Sequence, residues 1–182
     1  MADAGDWDER YRRGEHPGPE PDPFLVRSTP LIQQLLSNGG HALDLAGGTG
    51  RNAVYAAGLG FSVTLVDASA EALVKAQSLP LTLIHANLER GEYVPPPESF
   101  ELVMVFFYLQ RDLFPALEAA LKPGGVLIYR TYTIERLRKH PDANHSFLLE
   151  PGELPDAFRG LRVLAYEETS EPPVAALLAQ RV

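Results

Sequence analysis

The stretch HALDLAGGTGRNAVYAAGLGFSVTLVD, residues 41–67, decides the fold of this chain. Residues 42–46 are apolar except for Asp44, which predicts a short strand buried on both faces. The glycine-rich segment 47–50 has too little side chain to keep a ligand away from its backbone. We therefore predict a strand, a glycine loop, a helix and a second strand that delivers Asp67 to its carboxyl end. In an open α/β sheet, ligands bind at that edge.

Two ligand chemistries use this layout. In dinucleotide-binding enzymes, the pattern G-x-G-x-x-G/A opens a helix, and an acid about 20 residues later accepts hydrogen bonds from the ribose. Residues 48–53 satisfy that pattern, and Asp67 lies 19 positions after Gly48. The ribose of S-adenosylmethionine needs an acid at the same place. Asp44 favours this second ligand, because a carboxylate beside the loop suits an ammonium and a sulfonium better than a pyrophosphate. A glycine turn in an ordinary βαβ unit is the remaining alternative.

The segment Asp44–Gly50, DLAGGTG, and the aspartate at position 67 resemble motif I and the acidic motif after it in class I S-adenosylmethionine-dependent methyltransferases. The resemblance is strongest to small single-domain members related to the tellurite-resistance (TehB-like) group. It implies an α/β fold, with a Rossmann-like, doubly wound, mostly parallel seven-stranded sheet and an antiparallel C-terminal hairpin. The usual family loop is D-L-G-x-G-T-G, so Ala46 replaces its first glycine. Alanine fits there if its φ is negative.

The composition is typical of a globular domain. The chain has 182 residues, of which 45% are hydrophobic and 22% charged, enough for a sizeable core. Its net charge of −8 argues against nucleic acid as a partner. No apolar run reaches the roughly 18 residues that a membrane span needs, so the cytoplasm is the default expectation. The absence of cysteine excludes disulfides and thiolate metal sites, and we expect no metal ion.

We predict one methyltransferase domain over residues 1–182. Within it, residues 1–23 form an N-terminal arm or a lid, residues 24–38 form a leading helix, and residues 41–182 form the sheet core. Pro30 interrupts the amphipathic pattern of the leading helix and predicts a bend there.

The N-terminal arm contains a pair of aromatic residues. Trp7 and Tyr11 lie four positions apart, so a helix places them on one face that needs burial. The tellurite-resistance group begins with similar W-x-x-x-Y segments, and such segments commonly cover the cofactor. Both a lid and simple docking onto the domain are compatible with this pattern.

The third predicted strand, residues 81–85, is followed by Asn87. In the methyltransferase pattern this position is usually an aspartate that accepts a hydrogen bond from the adenine amino group. Asn87 can accept the same bond through its carbonyl oxygen. An asparagine in a plain turn after a strand is the alternative. The proline run at 95–97 predicts a loop where the family usually has a crossover helix.

Residues 100–107 are nearly all apolar and predict a central fourth strand. The residues that follow resemble motif IV of the family, which faces the sulfonium, and aromatic faces can stabilise that cation. We expect one of Phe106 and Phe107 to be a core residue, because alternate strand residues point to opposite faces. The segment lacks the Asn/Asp-Pro-Pro-aromatic pattern of enzymes that methylate exocyclic or amide nitrogens. This difference argues against base methylation.

The C-terminal third of the chain completes the predicted sheet. A helix over residues 112–121 is expected to end at a Lys-Pro-Gly-Gly turn before the fifth strand, residues 126–131. Residues 161–167 and 174–181 predict an antiparallel hairpin, which fits a methyltransferase sheet better than a dinucleotide domain.

The segment after the fifth strand lines the substrate site in the family that this chain resembles. Arg130 and Tyr132 lie at that edge and are therefore substrate candidates. A solvated basic surface is the preferred interpretation of Arg136, Arg138 and Lys139.

The resemblance also assigns the remaining site residues. Asp67 would bind the ribose, Asp44 would face the amino group, and no general base is assigned. The predicted cofactor-binding residues are Asp44, Ala46, Gly47, Gly48, Gly50, Asn52, Asp67, Ala68, Asn87, Leu88 and Phe106. The substrate candidates are Trp7, Tyr11, Tyr108, Arg130, Tyr132 and His145.

The expected function is methyl transfer from S-adenosylmethionine to a small-molecule acceptor. Such a displacement relies mainly on positioning, so the lack of a Ser-His-Asp signature does not count against an enzyme. A non-catalytic S-adenosylmethionine-binding protein and, less favoured, a nicotinamide-dependent oxidoreductase are the alternatives. The fold does not identify the acceptor.

Overall fold

A computed structural model describes residues 4–182, with side chains described from Trp7 onward. The chain divides into two compact units, one ending at Val94 and the other running from Pro95 to Val182.

The first unit is built on three parallel strands. The strands are β1 (Gly40–Leu45), β2 (Phe61–Asp67) and β3 (Thr82–His85), and the helices are α1 (Ala4–Arg12), α2 (Pro23–Leu35), α3 (Arg51–Gly58) and α4 (Ala70–Ala76). A 3-10 helix, Leu88–Arg90, follows β3. β2 pairs in parallel with β1 and with β3, so the carboxyl ends of all three strands meet at one edge.

The second unit contains four strands. They are β4 (Phe100–Phe106), β5 (Leu121–Tyr132), β6 (Arg162–Ser170) and β7 (Pro173–Gln180), and its α-helices are α5 (Phe114–Ala120) and α6 (Glu153–Ala157). Three 3-10 helices, Arg111–Leu113, Ile134–Arg138 and His145–Phe147, lie in its connections. β4 and β5 are parallel, whereas β7 is antiparallel to both β5 and β6.

The strands form a seven-stranded sheet in the order β3-β2-β1-β4-β5-β7-β6. This order confirms the predicted mostly parallel α/β sheet with an antiparallel C-terminal hairpin. The interior residues of β1 and β4 are almost all buried, as expected for strands covered on both faces. No helix lies between Gly91 and Ser99, so the predicted loop at the proline run is confirmed.

Several predicted boundaries are wrong. α2 includes Pro30 as an interior residue, as predicted, but it ends at Leu35 rather than at residue 38. The helix predicted from residue 112 is α-helical only from Phe114. β5 begins at Leu121, five residues earlier than predicted, with a register shift against β4.

The early start of β5 has a steric reason. A Cβ at Gly125 would lie 2.8 Å from the Lys122 carbonyl oxygen and 3.1 Å from that of Phe100. The glycine therefore lets the Lys-Pro-Gly-Gly segment run close beside β4 instead of turning away from it.

None of the helices in the described part of the chain has the length and apolar character needed to cross a bilayer.

An aromatic core stabilises the second unit. Phe158 is fully buried, and its ring centroid lies 5.0 Å from that of Phe114 and 6.0 Å from that of Tyr129. The hydroxyl of Tyr129 donates a hydrogen bond of 2.9 Å to the Tyr108 carbonyl, so its polar end is satisfied.

We expect Phe158→Ala to lower the free energy of unfolding by about 3–5 kcal/mol, because truncating a fully buried ring leaves a cavity. Urea unfolding followed by circular dichroism measures the change. Val163→Ala, at a position that is 44% exposed in the same unit, is the control and should cost less than about 1 kcal/mol. Equal effects of the two substitutions would contradict the aromatic core.

Candidate functional site

Asp67 connects the end of β2 to the glycine loop. Its Oδ2 accepts a hydrogen bond from the Gly48 N–H at 2.8 Å, and its Oδ1 accepts one from the Ser69 N–H at 2.8 Å. Burial raises the pKa of this carboxyl, and the backbone donors oppose that shift. Each carboxylate oxygen has two lone pairs, so Asp67 can still accept hydrogen bonds from the hydroxyls of a ligand.

Asp44, in β1, is a buried carboxyl without a hydrogen-bond partner. It is 1% exposed, and within the described residues neither Oδ1 nor Oδ2 accepts a hydrogen bond. Burial, reinforced by the charge of Asp67, raises the pKa of Asp44 to about 7. The Ala53 backbone N–H and the charge of the Arg51 guanidinium shift this pKa in the opposite direction. An ionised carboxylate in this position needs a cation, so the site suits a positively charged ligand.

The first two loop glycines make room for neighbouring side chains. A Cβ at Gly47 would lie 2.8 Å from the Asp44 carboxyl carbon and 2.9 Å from Leu65 Cγ. A Cβ at Gly48, whose φ is +57°, would collide with the hydroxyl of Tyr11. Both positions therefore exclude larger residues, as expected for a loop that a ligand approaches along its backbone.

Ala46 does not meet the condition of a negative φ under which alanine fits the loop without strain. Ala46 adopts a φ of +55°, in the left-handed region that costs an L-residue about 1–2 kcal/mol. The strain follows from the sharp exit from β1, because the next residue, Gly47, donates its N–H back to the Val66 carbonyl at 3.2 Å. Backbone strain of this kind clusters at ligand sites.

The α1 helix packs over this edge of the first unit. Asp8 Oδ1 accepts hydrogen bonds from Ser69 Oγ at 2.5 Å and from the Glu71 N–H at 3.2 Å, at the start of α4. Tyr11 is 9% exposed and lies against Gly48, whereas Trp7, one turn away, is 38% exposed. The predicted aromatic face therefore exists, but only Tyr11 is buried in it.

The sequence did not indicate the role of Asp8. Its only signal is that it lies three positions before Tyr11 and thus on the same helical face.

Two predicted cofactor-binding asparagines support the backbone. Asn52 Oδ1 accepts a hydrogen bond from the Asp22 N–H at 2.8 Å. Asn87 Oδ1 accepts from the Glu89 N–H at 3.0 Å and from the Arg90 N–H at 3.3 Å, and so caps the 3-10 helix after β3. Asn87 Oδ1 is therefore occupied by two donors, which leaves its amide N–H groups for a ligand, whereas Asn52 Oδ1 accepts one bond and retains a second lone pair.

The other predicted residues of the first unit lie at the same strand ends. Gly50, with a φ of +83°, precedes the first turn of α3. The Ala68 carbonyl oxygen lies 3.0 Å from Nε2 of His85, and Leu88 is buried in the 3-10 helix after β3.

In the second unit, the end of β4 carries one core and one partly exposed phenylalanine. Phe106 is 7% exposed and is the core residue of the pair. Phe107 has a φ of +57° and donates its N–H to the Arg130 carbonyl at 2.7 Å. Its ring centroid lies 5.0 Å from that of Tyr132, and the Arg130 guanidinium lies 5.3 Å above it. Phe107 therefore contacts two of the predicted substrate candidates, Arg130 and Tyr132.

Two further substrate candidates, Tyr108 and His145, contact other residues. The Tyr108 hydroxyl donates a hydrogen bond to Gln110 Oε1. His145 has a 63% exposed side chain, and its Nε2 lies 3.8 Å from Glu150. The structure thus places Arg130 and Tyr132 against Phe107, whereas the His145 side chain lies near Glu150.

Comparison with known proteins agrees with this geometry. Residues 42–125 match the model of the methyltransferase domain family. A sequence search of the curated proteins finds no match.

Similar folds are found among solved structures. One is a protein studied in the conversion of a disulfide bond into a thioacetal group during echinomycin biosynthesis (TM-score 0.70, 20% identity, 98% of this chain and 92% of that chain). A second is an S-adenosylmethionine-dependent methyltransferase from Mesorhizobium loti (TM-score 0.67, 19% identity, 85% and 97%). A third is TehB from Haemophilus influenzae (TM-score 0.68, 18% identity, 88% and 62%).

Residues 42–125, somewhat less than half of the chain, thus match the methyltransferase domain model, and the chain shares its fold with solved proteins that include an S-adenosylmethionine-dependent methyltransferase.

Proposed function

We propose that the protein transfers a methyl group from S-adenosylmethionine to a small-molecule acceptor. The observation that carries this proposal is the fully buried carboxyl of Asp44 beside the glycine loop, which accepts no hydrogen bond from the described residues. A ligand with an ammonium and a sulfonium supplies the positive charge that this carboxyl lacks, whereas a pyrophosphate would be repelled. The net charge of −8 favours a small acceptor over a nucleic acid.

The residues at this edge fit the cofactor. Asp67 has acceptor capacity for the ribose hydroxyls, and Asp44 compensates the charge of the amino group. The backbone at Gly48 is open to a ligand except where Tyr11 covers it. Asn87, whose carbonyl oxygen is occupied, can use its amide N–H groups toward adenine. When bound, the cofactor supplies an electrophilic methyl group on its sulfonium sulfur.

The contribution of the protein is to hold donor and acceptor in line and to exclude water. Positioning of this kind can supply roughly 7–11 kcal/mol of a barrier. The leaving thioether needs no protonation, so the proposal requires no general acid. Tyr11 contributes by shielding the glycine loop from solvent.

We also propose that α1 acts as a lid. The hydrogen bonds from Ser69 and Glu71 to Asp8 hold the helix down, and Tyr11 lies over the loop that the cofactor must reach. Entry of the cofactor therefore requires at least the Tyr11 side chain to move.

Two alternatives make different predictions in the same assays. A nicotinamide-dependent enzyme would bind NAD in calorimetry and not S-adenosylmethionine. A non-catalytic binding protein would bind S-adenosylmethionine but transfer no labelled methyl group to thiols, amines, phenols or metalloid oxyanions.

We expect Asp67→Ala to weaken S-adenosylmethionine binding about 100-fold, because two hydrogen bonds to a charged acceptor are lost and the glycine loop loses its tie to β2. Isothermal titration calorimetry measures the dissociation constant. Asp142→Ala, at an exposed acidic position, is the control and should bind as the unmodified protein does. Unchanged affinity in Asp67→Ala would contradict the ribose assignment.

S-adenosylmethionine should bind more tightly as the pH rises through 7, because the pKa of Asp44 is raised to about 7 and only its ionised form compensates the cation. Between pH 6 and pH 8 the affinity should increase about tenfold, and Asp44→Asn should remove this dependence. Calorimetry at the two pH values provides the measurement. A pH profile identical in both proteins would contradict the role of Asp44.

The Asp44 carboxyl should also make the folding stability of the ligand-free protein decrease as the pH rises. Its pKa lies near 7 in the folded protein and near 3.8 when unfolded, so the folded state binds more protons between these values. Stability contributed by Asp44 is therefore lost as the pH rises from about 4 to 7. We expect Asp44→Asn to have a higher Tm than the unmodified protein at pH 8, with a smaller difference at pH 5. Thermal unfolding without ligand provides this check.

If α1 is a lid, Asp8→Ala should speed cofactor dissociation by about fivefold, the effect of losing one helix-capping interaction. Trp7 is the single tryptophan of the chain and lies on α1, so stopped-flow tryptophan fluorescence follows the lid directly. Glu20→Ala, an exposed acid beyond α1, is the matched control. An unchanged dissociation rate in Asp8→Ala would show that α1 is merely docked.

A further inference from the structure

The second unit contains an aromatic–arginine cluster, formed by Arg130, Phe107, Tyr132 and Arg136. The Arg136 guanidinium lies 3.9 Å above the Tyr132 ring, and the Tyr132 ring centroid is 5.0 Å from that of Phe107. The Arg130 guanidinium lies 5.3 Å from the centroid of the Phe107 ring. The two rings are therefore flanked by two guanidinium groups at the carboxyl ends of β4 and β5.

Arg136 differs from its basic neighbours, Arg138 and Lys139, in the groups that it contacts. Arg138 pairs with Glu135 at 2.8 Å, and Lys139 pairs with Glu171 at 2.5 Å. In the part of the chain that the structure describes, the Arg136 guanidinium has the Tyr132 ring as its contact and no carboxylate or carbonyl acceptor. A stacked guanidinium keeps its N–H donors in the plane of the group, where they can bind an oxyanion with two parallel hydrogen bonds.

The backbone just before Arg136 is held in place by two hydrogen bonds to Leu149. The Leu149 N–H donates to the Tyr132 carbonyl at 2.9 Å, and the Ile134 N–H donates to the Leu149 carbonyl at 3.0 Å. Because these bonds order the segment before any ligand arrives, binding at Arg136 costs less conformational entropy.

Arg111 fixes the connection around residues 146–148, next to Leu149, which supports this segment. It donates hydrogen bonds to the Ser146 carbonyl at 2.7 Å and the Leu148 carbonyl at 2.9 Å. It also forms an ion pair with Glu153, which raises the pKa of the guanidinium. The charge of Arg111 is thus compensated by Glu153, whereas no carboxylate among the described residues pairs with Arg136.

We propose that Arg136, stacked on Tyr132, binds an oxyanion group of the methyl acceptor, so that the acceptor is a small molecule carrying a carboxylate or a phosphate. The identification of the ligand as the acceptor rests on the proposed methyltransferase function. A protein with a net charge of −8 repels anions at long range, so it needs a local cation to bind one. The neighbouring rings of Phe107 and Tyr132 would contact an apolar part of the acceptor to which the anionic group is attached.

The test compares acceptors that differ only in charge. The probes are 4-hydroxybenzoate with its methyl ester, thiosalicylate with its methyl ester, and inorganic phosphate. Saturation-transfer NMR gives the dissociation constant of each organic probe without requiring turnover, and isothermal titration calorimetry gives that of inorganic phosphate. Labelled S-adenosylmethionine gives kcat/KM for the phenols and thiols. We expect the acid of at least one pair to bind more tightly than its methyl ester. We also expect that acid, or phosphate, to bind the unmodified protein more tightly than it binds Arg136→Gln.

Arg136→Gln should weaken binding of the anionic probe by roughly 10- to 100-fold and leave the ester unchanged, because a charge-assisted hydrogen bond is lost only for the anion. Arg138→Gln, whose guanidinium already pairs with Glu135, is the matched control and should change neither. Tyr132→Leu should weaken anion binding as well, whereas Tyr132→Phe, which preserves the ring under Arg136, should weaken it less.

The possible results separate the two proposals. Anionic probes that bind through Arg136 without being methylated would leave the oxyanion site standing and count against methyl transfer to such acceptors. Methyl transfer to acid and ester with equal efficiency, unchanged in Arg136→Gln, would support the enzyme and overturn the oxyanion site. Equal effects of Arg136→Gln and Arg138→Gln would also overturn it, as would the absence of any Arg136-dependent binding.

Discussion

The hydrogen bonds of the Asp67 carboxylate organise the edge of the first unit. One oxygen accepts the Gly48 N–H and the other accepts the Ser69 N–H, so a single side chain joins the glycine loop, the end of β2 and the entry to α4. Because α1 in turn attaches to Ser69 through Asp8, the helix over the loop depends on the same carboxylate. The geometry of this strand edge therefore depends on one buried acid, and the proposed lid is attached to the same edge through Asp8 and Ser69.

Two features beside Asp67 lower local stability. Asp44 places a carboxyl in the interior with no hydrogen-bond donor within the described chain, and Ala46 adopts a left-handed conformation. Neither feature is explained by packing, since an apolar residue at 44 and a glycine at 46 would fit the fold with less cost. Unfavourable groups that gather at one strand edge are expected where a ligand supplies the missing interaction.

The second unit uses its arginines in two different ways. Arg111 is saturated by Glu153 and by two carbonyl oxygens, and so it serves the fold. Arg136 lies on an ordered segment, stacked on a ring, and keeps its hydrogen-bonding capacity. Two residues with the same side chain thus differ in role because only one of them meets acceptors that the chain itself provides.

The local order of residues was sufficient to predict the strand–loop–helix–strand core, the position of Asp67, the loop at the proline run and the final hairpin. These features depend on apolar patterning, glycine and proline, which act over a few neighbouring residues. The sequence did not predict the positive φ of Ala46, the hydrogen bonds accepted by Asn52 and Asn87, the attachment of α1 through Asp8, or the stacking of Arg136 on Tyr132. The attachment of α1 and the bond from Asp22 to Asn52 were decided by tertiary structure, because each joins segments that are at least 30 residues apart. The bonds to Asn87 and the stacking of Arg136 join close neighbours, and they depend on the path that the backbone takes after the strand.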